Sequence, residues 1–168
     1  MKRGTRSTTV RGGASTRRLQ LTVDMQVATR SSRLPTTRRV HRWIRQALTA
    51  QRGRRSVSIR LVDRAESQRL NTAYRARRRP TNVLSFRAPE RQPAGERLLG
   101  DLVICAPVVA AEARAQGKAV DAHWAHLVVH GTLHLLGYDH GRPSAARAME
   151  AREVAILTRL GYANPYVI

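Results

Sequence analysis

The sequence predicts an α+β fold: a small mixed β-sheet packed with about five helices, and a metal site on a helix of the C-terminal half and the turn after it. Three observations carry this. Segments with strand character lie before Ala106, everything after it reads as helix, and 42% hydrophobic residues in a chain of 168 can fill one core of ordinary size.

Taken in order, Met1–Arg18 (MKRGTRSTTVRGGASTRR) has no acidic residue and no periodic apolar face. It reads as a disordered basic arm that adds nonspecific RNA affinity. An organelle transit peptide has the same Arg- and Ser-rich, acid-poor character, and a misassigned start codon is a third reading. Residues 19–168 read as a single domain. Leu19–Val27 (LQLTVDMQV) alternates apolar and polar residues, as a half-buried strand does, and Pro35 with Thr36 or Thr37 opens a helix to about Ala50. Ser56–Val62 (SVSIRLV) is a second strand, and Asp63 follows as the N-cap of a helix through about Tyr74. A basic loop, Arg75–Pro80, leads into Asn82–Phe86, and Asp101–Cys105 (DLVIC) is a further strand. Three helices complete the chain, about Pro107–Gln116, Asp121–Leu136 and Pro143–Leu160, with Gly161 closing the last.

Composition narrows the function. Cys105 is the only cysteine, which excludes an internal disulfide framework and a thiolate-rich zinc cluster and suits a reducing cytoplasm. No segment approaches the roughly 20 apolar residues of a membrane helix, so the chain reads as soluble, with no membrane partner. A formal charge of +20, almost all from Arg, points to a polyanionic partner, although guanidinium groups that merely decorate solvated faces would look the same. With Phe86 the sole Phe and aromatics at 4%, phosphate contacts fit better than base stacking.

Five of the six histidines fall between His123 and His140. On a helix, His130 and His134 project from one face and can reach a single ion. A continued helix would carry the next donor about 240° around the axis and about 9 Å along it. Gly137 stands where a left-handed residue ends the helix, so the chain can fold back and present His140. Three imidazoles with an open fourth position describe a catalytic zinc more than a structural one. His126 lies about 12 Å of rise from His134, too far to share the ion, and reads as a packed residue or one bonded to a ligand. His123 reads as a surface residue, and Asp139 either orients a ligand imidazole or caps a turn.

The stretch HGTLHLLGYDH has the histidine spacing of the metzincin proteases, with Gly131 where their general-base Glu stands. Peptide hydrolysis needs that carboxylate to protonate a poor leaving amine, so a protease is disfavoured. A metal ion can still polarise a phosphoryl oxygen and lower the pKa of water, and Gly131 reads as leaving space there for a substrate backbone. An open metal site with this positive charge points to a nucleic-acid phosphodiester.

HWAHLVVHGTLHLLGYDH, together with YRARRRPTNVLSF and GDLVIC upstream, resembles the YbeY family of bacterial single-strand-specific endoribonucleases and rRNA maturation factors, over about Leu19 to Tyr166. The resemblance implies that His130, His134 and His140 hold one zinc per chain, and that the family's essential arginine is Arg75, which with His130 carries catalysis. A guanidinium at Arg75 would grip a phosphate bidentately and offset charge in the transition state, though Arg77, Arg78 and Arg79 beside it make an ordinary loop arginine the plainer reading from sequence alone. Asn82 and Ser85 either line the cleft and bind substrate or are turn and strand groups satisfied by backbone. Asp101 reads as structural. The resemblance further implies a cytoplasmic role in maturing the 3′ end of 16S rRNA, ribosome quality control and contact with small-subunit components. After His140 the chain reads GRPSAARAMEARE where a more acidic helix start is expected, and the basic arm has no counterpart in the family pattern. The alternative is a non-catalytic ribosome-assembly factor that binds RNA and uses its zinc to hold the last helices together.

Overall fold

A computed structural model describes residues 18–167. The basic arm, Arg18 apart, lies outside the described residues. Strand β1 (Gln20–Ala28) exposes Gln20, Thr22, Asp24 and Gln26 and packs Leu21, Val23 and Met25 against the core, as its period of two requires. Strand β2 (Arg54–Val62) buries Val57, Ile59 and Leu61 on the same face. With β3 (Val83–Arg87) and β4 (Arg97–Cys105) they form a sheet of order β1-β2-β4-β3. The first two pairings are parallel and β3 runs antiparallel to β4, so the sheet is mixed, as predicted. Parallel neighbours need crossovers, which explains helix α1 (Thr37–Ala47) between β1 and β2.

Helix α1 starts where Thr36 accepts the Arg39 N–H. Helix α2 (Arg64–Arg75) has Asp63 at its N-cap position, but no side-chain cap bond forms there. The Asp63 carboxylate turns instead to the Thr29 hydroxyl and the Arg30 N–H, tying the β1–α1 loop to the start of α2. Strand β4 begins four residues before the predicted Asp101. Arg97 pairs with Arg55 and Gly100 with Val57, so ladder bonds satisfy a backbone whose glycine and charges hid it from pattern reading.

Helices α3 (Ala106–Ala115), α4 (Val120–Leu135) and α5 (Pro143–Arg159) complete the fold. Helix α4 touches α1, α3, α5, β3 and β4 and buries Trp124, Leu127, Val128, Val129, Leu133 and Leu135. A helix apolar around most of its circumference belongs at the centre. At roughly 1.5–3 kcal/mol for each large apolar side chain removed from water, α4 anchors the fold. Helix α2 contributes Leu70 to a smaller cluster on the opposite sheet face, with Leu84, Phe86, Val103 and Cys105. Among the described residues no helix is long and apolar enough to cross a membrane.

Candidate metal centre and phosphate cleft

Helix α4 ends in a turn that assembles the histidines. Gly137 takes φ +100° and donates to the His134 carbonyl at 3.0 Å, and Tyr138 donates to the Leu133 carbonyl at 3.1 Å. This is the reciprocal pair of a Schellman C-cap, with the glycine in its left-handed position. Beyond it, Asp139 Oδ1 accepts the His140 main-chain N–H at 2.7 Å, so the aspartate caps the turn and holds no imidazole. The His140 ring stacks on His130 at 4.9 Å between centroids and meets His134 edge-on at the same distance.

Each helical histidine is oriented by its other nitrogen. His134 Nδ1 lies 2.8 Å from the Tyr138 carbonyl, and His130 Nδ1 lies 2.5 Å from Glu153 Oε1 on α5. Carbonyl and carboxylate only accept, so each Nδ1 carries the proton and each Nε2 keeps a free lone pair. Those two Nε2 atoms face each other at 3.1 Å, and a His140 nitrogen completes a set within 4.8 Å. Tetrahedral zinc with bonds of 2.0–2.1 Å separates its nitrogens by about 3.3 Å, so three neutral imidazoles arranged this way fit the ion. Burial, then the proximity of the His130 and His140 imidazoles, hold the His134 imidazole below its ordinary pKa, against the Tyr138 carbonyl and Asp139. A histidine that resists protonation competes better for a metal ion.

Glu153 is a residue that sequence reasoning missed. It is fully buried, yet accepts from His130, from His126 Nε2 at 3.0 Å and from the Tyr166 hydroxyl. Burial alone would raise its pKa. The hydrogen bonds from His126 and His130, the His130 charge and the Tyr166 bond outweigh it and hold the carboxyl at about 2. The available signal was its place on the apolar stripe of α5, four residues after buried Met149 and three before buried Ile156. His126, predicted to be packed or bonded to a ligand, is bonded instead to this carboxylate, which it shares with His130. His123 departs from the surface position expected of it: it is 4% exposed and lies 2.7 Å from Glu112, because α4 is enclosed around its N-terminal turns too.

Gly131 also corrects an expectation. It does not open room for substrate, because the sheet fills that side of α4. A Cβ there would meet Leu102 Cδ2 at 2.9 Å, and Ser85 Oγ and Val83 Cγ2 at 3.3 Å. The missing side chain is what lets α4 lie against β3 and β4.

Room for a substrate lies on either side of the histidines. One cavity, about 280 Å³, is bounded by Arg75, Ser85, Arg87, His134, Tyr138 and Asp139. Arg75, the last residue of α2, is exposed beside it, and Arg87, on the same face of β3 as Ser85, stands over the Gly137 turn. Arg87 escaped the sequence reading; its two-residue spacing from Ser85 was the only signal. Ser85 also donates to the Gly131 carbonyl at 3.3 Å, so it serves both packing and cavity. The second cavity, about 420 Å³, runs along α4 past His123, His126 and His130 to His140. Asn82 borders it and donates to the Glu112 carboxylate while its Oδ1 accepts the Val83 N–H, so its side chain is committed to protein partners. Asp101 is exposed on the opposite face of the sheet, beside Phe86, away from the histidines.

The fold resembles the solution structure of TM1509 from Thermotoga maritima, with a TM-score of 0.54 and 21% identity over 88% of this chain and 100% of that one. A family profile described as Endoribonuclease YbeY matches residues 25–161, from the middle of β1 to the end of α5 and including all three histidines and Arg75. The chain therefore belongs to the YbeY family of endoribonucleases, enzymes that cut RNA internally.

Proposed function

We infer that the protein is a zinc-dependent, single-strand-specific endoribonuclease that acts in the cytoplasm on rRNA, in maturation of the 16S 3′ end and in ribosome quality control, together with small-subunit components. Family membership supports the RNA-cutting role in rRNA processing. The observation that carries the zinc requirement is the convergence of the Nε2 atoms of His130 and His134, 3.1 Å apart, with a His140 nitrogen closing the set.

Zinc bound there would supply Lewis acidity and lower the pKa of a water molecule. The chain's own residues do the rest. Glu153 and the Tyr138 carbonyl keep protons on the Nδ1 atoms, so the lone pairs of His130 and His134 stay directed at one point. Arg75 grips the phosphate across the smaller cavity and offsets the negative charge that builds on its oxygens, with Arg87 adding a second cation on the same wall. Ser85 lines that wall.

Cleavage of a labelled single-stranded rRNA fragment by the wild type and by Arg75→Ala, matched for zinc content and thermal melt, tests this reading. It stands if the wild type cuts and the variant does not. Equal cutting by both removes Arg75 from the mechanism, and binding without cutting by the wild type favours an assembly factor. A 2′,3′-cyclic phosphate on the product identifies the substrate's own 2′-hydroxyl as the nucleophile.

A further inference from the structure

A charged concavity larger than either of the two at the histidines lies elsewhere on the described residues. A cleft of about 720 Å³ opens between the β1–α1 loop and the α3–α4 corner. Arg30 and Arg33 enter it from the loop and Arg114 and Lys118 from the corner, with Trp124 at its wall. No carboxylate lines it, and none of the three arginines makes an ion pair among the described residues. Four cations on a concave wall that no carboxylate lines set up a positive potential that draws an anion.

The loop is built to hold them there. Asp63 fixes its start through Thr29 and the Arg30 N–H, and Arg33 sits at φ +59°, a left-handed backbone that non-glycine residues seldom adopt. Lys118 marks the boundary with the histidine cavity, lining both, and its Nζ is fixed by the Pro165 carbonyl at 2.6 Å. The two concavities therefore adjoin along one side of α4.

We propose that this cleft is a backbone-phosphate subsite for the RNA strand cut at the histidines, gripping the strand a few nucleotides from the scissile bond. The proposal rests on the endoribonuclease reading. Trp124 precedes His130 and His134 on the same helix by about 9 and about 15 Å of rise, or at most roughly three to four phosphates at about 3.4 Å per nucleotide. Between the two ends Glu112 is already bound by His123 and Asn82 and Glu150 adds negative charge to the wall, so past Lys118 the intervening wall offers the phosphates no lysine or arginine. A strand has to be long enough to reach both ends before the cleft contributes.

The test uses zinc-loaded full-length protein and 2′-O-methyl oligonucleotides, checked intact afterwards, of about 12 and about 4 nucleotides, titrated between about 50 and 200 mM salt. Arg30→Ala/Arg33→Ala should bind the longer strand on the order of ten-fold more weakly, with the salt slope shallower by about 1.4, and bind the shorter one as the wild type does. Arg42→Ala/Arg45→Ala, on α1 outside the cleft, removes equal charge and should leave the longer strand's slope nearly unchanged. The proposal falls if the cleft variant keeps the wild-type slope, if both double variants lose equally, or if the shorter strand loses as much as the longer. It falls as well if the wild type binds no RNA, or if the cleft variant instead loses binding to phosphatidylglycerol vesicles. Should the wild type bind through the cleft yet never cut RNA, the nuclease reading fails and with it the cleft's part in cleavage, leaving only a phosphate-binding site for RNA.

Discussion

Replacing Glu153 by Gln isolates the contribution of a buried carboxylate to a metal site it does not itself enter. The side chain is fully enclosed and receives three donors, from His130, His126 and Tyr166. Gln keeps the volume and one acceptor oxygen but turns an amide NH2 toward a group that also donates. At least one hydrogen bond to a charged acceptor is lost, which costs about 1.5–3 kcal/mol of stability in the metal-free protein. With the His130 ring less firmly held, zinc affinity should fall 10–100-fold, the range for loss of a carboxylate behind a ligand histidine. Competition with a chromophoric chelator reads the affinity, and urea unfolding of metal-free protein reads the stability. Unchanged zinc affinity in a destabilised variant would refute the reasoning, since the carboxylate would then only brace α5 against α4. The pH dependence has a definite sign. A carboxyl held at about 2, below its ordinary 4.5, gives its stabilisation in full above pH 4.5 and loses it as pH falls toward 2. The stability gap between wild type and Glu153→Gln should therefore be flat above that range and shrink below it.

The other predictions concern the residues around the site. His134→Ala should come off anaerobic purification without stoichiometric zinc, measured by elemental analysis; one tightly held ion per chain would remove it from the ligand set. Arg75→Ala should retain zinc and melting temperature while cleavage falls at least about 100-fold, the scale for losing a donor to transition-state charge. Gly131→Ala should cost about 1–3 kcal/mol in urea unfolding, because its Cβ would press on Leu102, while zinc binding persists. A neutral result there would mean that α4 and the sheet are less closely packed than described.

What could be read from the sequence was what is local. The alternation in β1 and β2 and the caps at Thr36 and Gly161 announce themselves within a few residues, as does the pairing of His130 and His134 with the Gly137 stop. What could not be read depends on which elements meet. Glu153 is one acidic residue in an amphipathic helix until α5 docks on α4 and buries it under two imidazoles. His123 looked exposed because the sequence does not tell that α4 is enclosed on several sides. Gly131 shows the same limit from the other direction: a missing side chain reads as space, and only the sheet reveals that the space is occupied. Asp63 sits where a cap belongs, but a loop more than thirty residues upstream competes for its carboxylate and wins.

The turn at residues 136–138 couples two events that are usually separate. The bonds that terminate α4 belong to the segment whose Tyr138 carbonyl fixes the His134 ring, and three residues past Gly137 the chain delivers His140. Fraying of that helix end would therefore withdraw two of the three donors together, while His130 would be released only by undocking of α5. By reciprocity, an ion gripped by all three would tighten the helix end and the α4–α5 contact at once. Amide exchange at Gly137 and Tyr138 would then keep time with metal exchange, making the last turn of α4 the gate through which the ion comes and goes.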